Sequence, residues 1–173
     1  RFISEWKFCL RAYRLVLNIS SEDRADIVVG DSVTPMNSAT AALIARKVGA
    51  RFVHQIRDIW PAALVADGSL RQGSATYWIF RVLERFSYRS CDWICSALPN
   101  VATHVEAAGG DPTRITYIRN GVDLEETYYA PLPTSPRPGF NITYVGTISY
   151  AHDVISIVEG FSLFLKRHPT ATV

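Results

Sequence analysis

The chain has 173 residues, 48% hydrophobic and 20% charged, with 10 Gly and 9 Pro. At roughly 100–200 residues per domain this is one ordinary domain or two incomplete ones, and the composition excludes collagen-like, low-complexity and disordered classes. Eighteen Lys and Arg against sixteen Asp and Glu leave a charge of +2, too small for long-range attraction to a polyanion, so no nucleic-acid partner is expected.

Residues 2–17 lack Gly and Pro and place Lys7, Arg11 and Arg14 on one stripe of a helix. Phe2, Trp6, Leu10 and Tyr13 run along the neighbouring face, so the stripe suits either an anionic lipid surface or a solvated face. Ala25 to Gly30 is a short apolar run, the form of a central parallel strand buried on both faces. Ser32-Val33-Thr34-Pro35 then offers a cap and a helix-starting proline, 37–47 reads as a helix, and Gly49 suits the left-handed close.

The pattern recurs. A strand over 51–57 leads through Asp58-Ile59-Trp60-Pro61 to a helix over 76–89; a strand over 92–96 leads to a helix over 100–108; a strand follows over 114–118. Strands alternating with helices imply right-handed crossovers, hence an α/β fold with a Rossmann-like parallel sheet and helices on both faces. Residues 128–139 hold four prolines, at 131, 133, 136 and 138, and end the pattern. The predicted organisation is a first domain over 1–131, a linker over 132–139, and the beginning of a second α/β domain over 140–173. That beginning comprises a strand over 141–145, a turn at Gly146-Thr147 and a helix over 154–167. Arg1 and the β-branched Thr170–Val173 stretch read as ends cut from something longer.

Cys9, Cys91 and Cys95 have neither zinc nor disulfide spacing and read as small buried residues of a reducing compartment. No apolar run reaches the ~18 residues needed to cross a bilayer, and no signal peptide is evident, so a cytoplasmic location is expected. His54, His104 and His168 lack metal-ligand or nucleophile-base spacing, so no metal site is predicted and a structural role is preferred for each.

In an open parallel sheet, ligands bind beyond the carboxyl ends of the strands. The residues that follow each strand are therefore the candidates, and those at 57–61, 119–123 and 146–147 carry the most chemistry. Asp58 would hold a carboxylate at that edge, Trp60 would offer a flat apolar face to a ligand, and Arg57 would be the ion-pair partner of Asp58 or an anchor. An Arg-Asp pair that merely caps the next helix is the plain alternative. Asn120 and Asp123 either shape a turn or reach a ligand. Gly146 and Thr147, ahead of a helix, offer backbone N–H groups to pyrophosphate oxygens.

The stretches ARFVHQIRDIWP (50–61), ERFSYRSCDWICSALPN (84–100), RITYIRNGVD (114–123) and ITYVGTISYAHDV (142–154) resemble retaining glycosyltransferases of family four, whose fold is called GT-B. The likeness is greatest to the branch that assembles bacterial O-antigen, capsule and exopolysaccharide. The resemblance implies two Rossmann-like domains facing across a cleft, the donor nucleotide sugar held mainly by the C-terminal one and the acceptor by the N-terminal one. It implies a hexosyltransferase-type enzyme that needs no cofactor and moves a sugar to a glycan or lipid-linked glycan, with Asp58 beside the transferred sugar. Where many members carry an Arg and a Lys, this chain has Thr147 and His152, which makes His152 a weaker donor-binding candidate. Lipid-linked acceptors among the relatives add weight to Lys7, Arg11 and Arg14 as a peripheral contact with the inner face of the plasma membrane. A GT-B sugar-nucleotide epimerase or hydrolase, or a non-catalytic binding module, remains open at this point.

Overall fold

A computed structural model describes residues 2–20, 22–123, 144–148 and 152–168. The chain divides into two units, Arg1–Gly121 and Val122–Val173. The predicted linker over 132–139 lies outside the described residues.

The first unit runs α1 (Phe2–Val16), β1 (Ile27–Asp31), α2 (Pro35–Val48), β2 (Arg51–Ile56), α3 (Ala62–Ala66), α4 (Ala75–Ser90), β3 (Trp93–Ser96), α5 (Ala102–Ala107), a 3-10 turn (Pro112–Arg114) and β4 (Ile115–Tyr117). The strands form a four-stranded sheet in the order β1-β2-β3-β4, all neighbours parallel. This is the α/β, Rossmann-like layout expected from the alternation of elements.

Strand order equals chain order, so every right-handed crossover carries its helix to the same face. Phe52, His54 and Ile56 of β2 and Ile94 and Ser96 of β3 are buried beneath these helices. Ile56, Ile94 and Tyr88 pack with Val101, Val105 and Ala108, while Phe52 packs with Ala42 and Ala45 of α2. The other face carries Ile27, Val29 and Trp93, which are 58%, 61% and 44% exposed. This corrects the expectation that the first strand is central and buried on both sides: among the described residues β1 is an edge strand with one covered face. Its apolar composition could not distinguish those cases, since both demand Ile and Val.

Local signals explain most boundaries. The Thr34 hydroxyl accepts from the Asn37 N–H at 3.4 Å, Pro35 opens α2, and Gly49 closes it at φ 78°. The Ser74 hydroxyl accepts from Tyr77 N–H to start α4. The helix expected over 100–108 is observed as six residues, Ala102–Ala107, with no side-chain cap at Val101. The short α3, which sequence periodicity did not reveal, is a single turn and a half with no buried residue.

In the second unit α6 (Val154–Arg167) has the predicted bounds and buries none of its residues. Of the strand expected over 141–145, only Tyr144 and Val145 are described, and neither is in a strand.

Gly30 sits where β1 meets α2: a Cβ there would stand 2.6 Å from the Ala41 Cβ and 2.9 Å from Phe52 Cε2. Gly30→Ala is expected to destabilise the chain by about 1–3 kcal/mol through overpacking, read as a lower urea midpoint; an unchanged midpoint would show that α2 shifts freely.

Candidate functional site

At the carboxyl edge of the sheet, the loop after β2 is held from the loop after β1. The buried Ser32 hydroxyl accepts from the backbone N–H groups of both Arg57 (2.8 Å) and Asp58 (3.1 Å). Beside it, Arg57 Nη1 lies 3.4 Å from Asp31 Oδ2, and Ser38 donates to the Asp31 carbonyl at 3.0 Å. The Ser32 N–H in turn donates to Gln55 O at 2.9 Å. The two loops therefore form one hydrogen-bonded unit, with the exposed Asp58 at its rim.

Arg57 pairs with Asp31, across the two loops, and no Arg57–Asp58 ion pair is seen among the described residues. α3 begins at Ala62 after Pro61 with no side-chain cap, so Asp58 does not hydrogen-bond its N-terminus. Trp60 is half-buried, its ring perpendicular to Phe80 at 5.8 Å. Its indole N–H is buried without a hydrogen-bond partner, so part of the flat face expected to meet a ligand is instead turned into the protein.

Asn120 leaves β4 on the same edge, because the parallel sheet brings every strand's carboxyl end there. It is exposed, and the preceding Ile118 N–H bonds Ser96 O at 2.8 Å. Arg119 stacks over the Tyr117 ring at 5.8 Å. The structure thus gathers Asp58, Arg57, Trp60 and Asn120 on one edge of the first unit.

Asp123, Gly146, Thr147 and His152 belong to the second unit, where all four are exposed. There the Tyr144 hydroxyl donates to Thr147 O at 3.1 Å, and a Cβ on Gly146 would lie 2.6 Å from that hydroxyl oxygen. Tyr144 is exposed and its hydroxyl is the far end of the side chain, so it could move aside for a larger residue. α6 begins seven residues after Thr147, with Asp153 at φ 43° before it, so Gly146 and Thr147 do not form its first turn.

Beneath the rim lies a pocket that joins Asp58 and Trp60 to residues the sequence did not single out as a site. It is bounded by Ser32 and Ser38 from the α2 side, His54 of β2, and Glu84 and Tyr88 of α4, with Asp58 and Trp60 at the loop. Glu84 is 4% exposed, and its carboxylate accepts from Arg81 Nη1 at 2.8 Å and meets His104 Nε2 at 2.6 Å. Tyr88 also bonds Glu84, and its phenol is pushed up by burial first and by the Glu84 charge second. His104 of α5, read as structural, meets Glu84 of α4 through its Nε2 contact. The signal for the pocket was available: Glu84, Ser87 and Tyr88 recur at helical spacing on an otherwise apolar face. Among the described residues no cluster of three or more His, Cys, Asp or Glu could hold a metal, and no helix is long and apolar enough to cross a membrane.

The sequence profile of the family described as "Glycosyl transferase 4-like domain" matches residues 2–121. A curated relative, the "Probable glycosyltransferase WbjE" of Pseudomonas aeruginosa, is 26% identical over 119 residues, 69% of this chain and 29% of that protein. The chain therefore spans under a third of that relative's length. No solved structure matches.

Burial lowers the His54 pKa to about 4. The folded state keeps His54 neutral while the unfolded state takes up a proton below pH 6.5, so stability should fall as pH drops from about 6.5 to 4, by about 3 kcal/mol for this group. Urea unfolding of the parent and of His54→Phe across that range should diverge as pH falls; parallel curves would show that His54 is protonated in the fold.

Proposed function

The chain belongs to the glycosyl transferase 4-like family, and from that premise we propose that it forms the acceptor-side part of an enzyme transferring a sugar from a nucleotide-sugar donor to a hydroxyl of a glycan or lipid-linked glycan. The single observation that carries the reading is the fixed Asp58 rim: a carboxylate at the carboxyl edge of a parallel sheet, its backbone held by Ser32 and its neighbour Arg57 tied to Asp31. Such a group accepts a hydrogen bond from a sugar hydroxyl and stabilises positive charge that develops at an anomeric carbon. The 26% identity with a probable glycosyltransferase supports the same class of reaction.

In this reading Asp58 orients the acceptor or stabilises an oxocarbenium-like state, Arg57 anchors the loop, and Trp60 flanks the sugar with its open part. Asn120 reaches the same edge. Asp123, Gly146, Thr147 and His152 serve the donor side, where backbone N–H groups receive the diphosphate. Transfer proceeds with retention by front-face displacement, the departing diphosphate taking up the acceptor proton. The protein contributes position and charge stabilisation. The role belongs to cell-surface polysaccharide assembly at the cytoplasmic face of the membrane.

Contact with that membrane is assigned to α1. Lys7, Arg11 and Arg14 are exposed on it, flanked by the exposed Ile3, Trp6, Leu10 and Leu15. Cations with apolar neighbours match the chemistry of an anionic headgroup layer.

In the complete enzyme, Asp58→Ala is expected to lower turnover about 100-fold or more, read as nucleoside diphosphate released from a panel of nucleotide sugars. Nucleotide affinity and the melting midpoint should stay near those of the parent, because Asp58 is exposed. An equal loss of folding would assign Asp58 a structural role instead.

Changing Lys7, Arg11 and Arg14 together to Glu should cut co-sedimentation with phosphatidylglycerol vesicles roughly 100-fold, since each cation near such a surface is worth about 1 kcal/mol. Unchanged sedimentation would remove the membrane contact from the reading.

A further inference from the structure

We propose that the pocket beneath the Asp58 loop is a hydroxyl-binding subsite, in which the His54 imidazole and the Trp60 indole N–H together hold one hydroxyl group of the acceptor. The inference rests on the acceptor-side reading above and names the group that this side recognises.

His54 is 3% exposed, and neither of its ring nitrogens has a hydrogen-bond partner; the buried Trp60 Nε1 is in the same condition. Leaving a buried donor or acceptor unmatched forfeits its hydration with nothing in return. Here three such atoms belong to side chains that line one pocket. The neighbours of His54 are aromatic: its ring centroid lies 5.2 Å from that of Tyr88 and 5.9 Å from that of Phe52. They hold the imidazole in place without satisfying its nitrogens.

The chemistry of the unmatched atoms selects the ligand. A neutral imidazole presents one donor and one acceptor, and an indole presents a donor alone. A hydroxyl group complements both, giving its proton to the imidazole acceptor while its oxygen receives the indole N–H. A phosphate or carboxylate is disfavoured because Asp58 and Glu84 line the same pocket and burial keeps His54 uncharged. An ammonium group has no lone pair for the indole. Water and a sugar hydroxyl share the favoured chemistry; the proximity of Asp58, the residue assigned to the acceptor, points to the sugar.

The test uses the full chain carrying 15N-labelled histidine, tryptophan and aspartate, with the methyl glycosides of glucose, galactose and N-acetylglucosamine as probes up to about 100 mM, a range suited to millimolar affinity. At least one glycoside should move a His54 ring nitrogen and the Trp60 indole resonance together while His168 stays fixed. His54→Phe should weaken that binding roughly tenfold, and His54→Gln, which retains a donor and an acceptor, should restore most of it. His54 resonances already at hydrogen-bonded values and unmoved by every glycoside would mean an ordered water only, and would overturn the proposal. If the Asp58 amide responds while His54 and Trp60 do not, the subsite is wrong and the acceptor reading survives. If none of the three responds, both fall.

Discussion

The hydroxyl of Ser32 receives two backbone N–H groups, those of Arg57 and Asp58, and the position of the whole rim depends on this junction. A loop leaving a strand has backbone donors that no ladder partner can satisfy. A buried serine from the adjacent βα loop supplies the acceptor, and the Arg57–Asp31 pair adds a second tie between the same two loops. The rim is thus fixed by its neighbour in the sheet, which is why the carboxylate of Asp58 can stand exposed without its backbone moving.

Below the rim, Glu84 performs the complementary task from the helical layer. A carboxylate at 4% exposure carries a large desolvation cost unless it is paired and hydrogen-bonded. Arg81, from one helical turn earlier, and His104, from α5, provide those partners. The group therefore locks α4 to α5 directly under the residues that line the pocket. Removing Arg81 would leave the carboxylate without its cation in a low-dielectric region, and removing His104 would take away a hydrogen-bond partner, so the floor of the site is constrained as well as its edge.

Much of this was legible before coordinates. The strand and helix alternation, the Thr34-Pro35 start and Gly49 stop of α2, and the bounds of α6 follow from local propensity and periodicity. Asp58, Arg57 and Asn120 follow from the rule that ligands meet the carboxyl ends of parallel strands. What escaped depends on partners distant in sequence. Ile27 and Val29 look like a central strand because residue identity does not report whether a second layer covers them. Arg57 could have paired with its neighbour, yet Asp31 is reached only through strand pairing between β1 and β2. His54 reads in sequence as a structural residue and Glu84 carries no motif; the pocket they line exists only where α4 lies against β2.

One detail of the rim has an optical consequence. Of the four tryptophans, Trp6, Trp78 and Trp93 present about half of their surface to solvent, whereas Trp60 keeps its indole nitrogen shielded and its ring edge-on to Phe80. Its emission is expected to lie toward shorter wavelengths than that of the other three, and an aqueous quencher is expected to reach it last. The loop that bears Asp58 therefore carries an intrinsic fluorophore of its own.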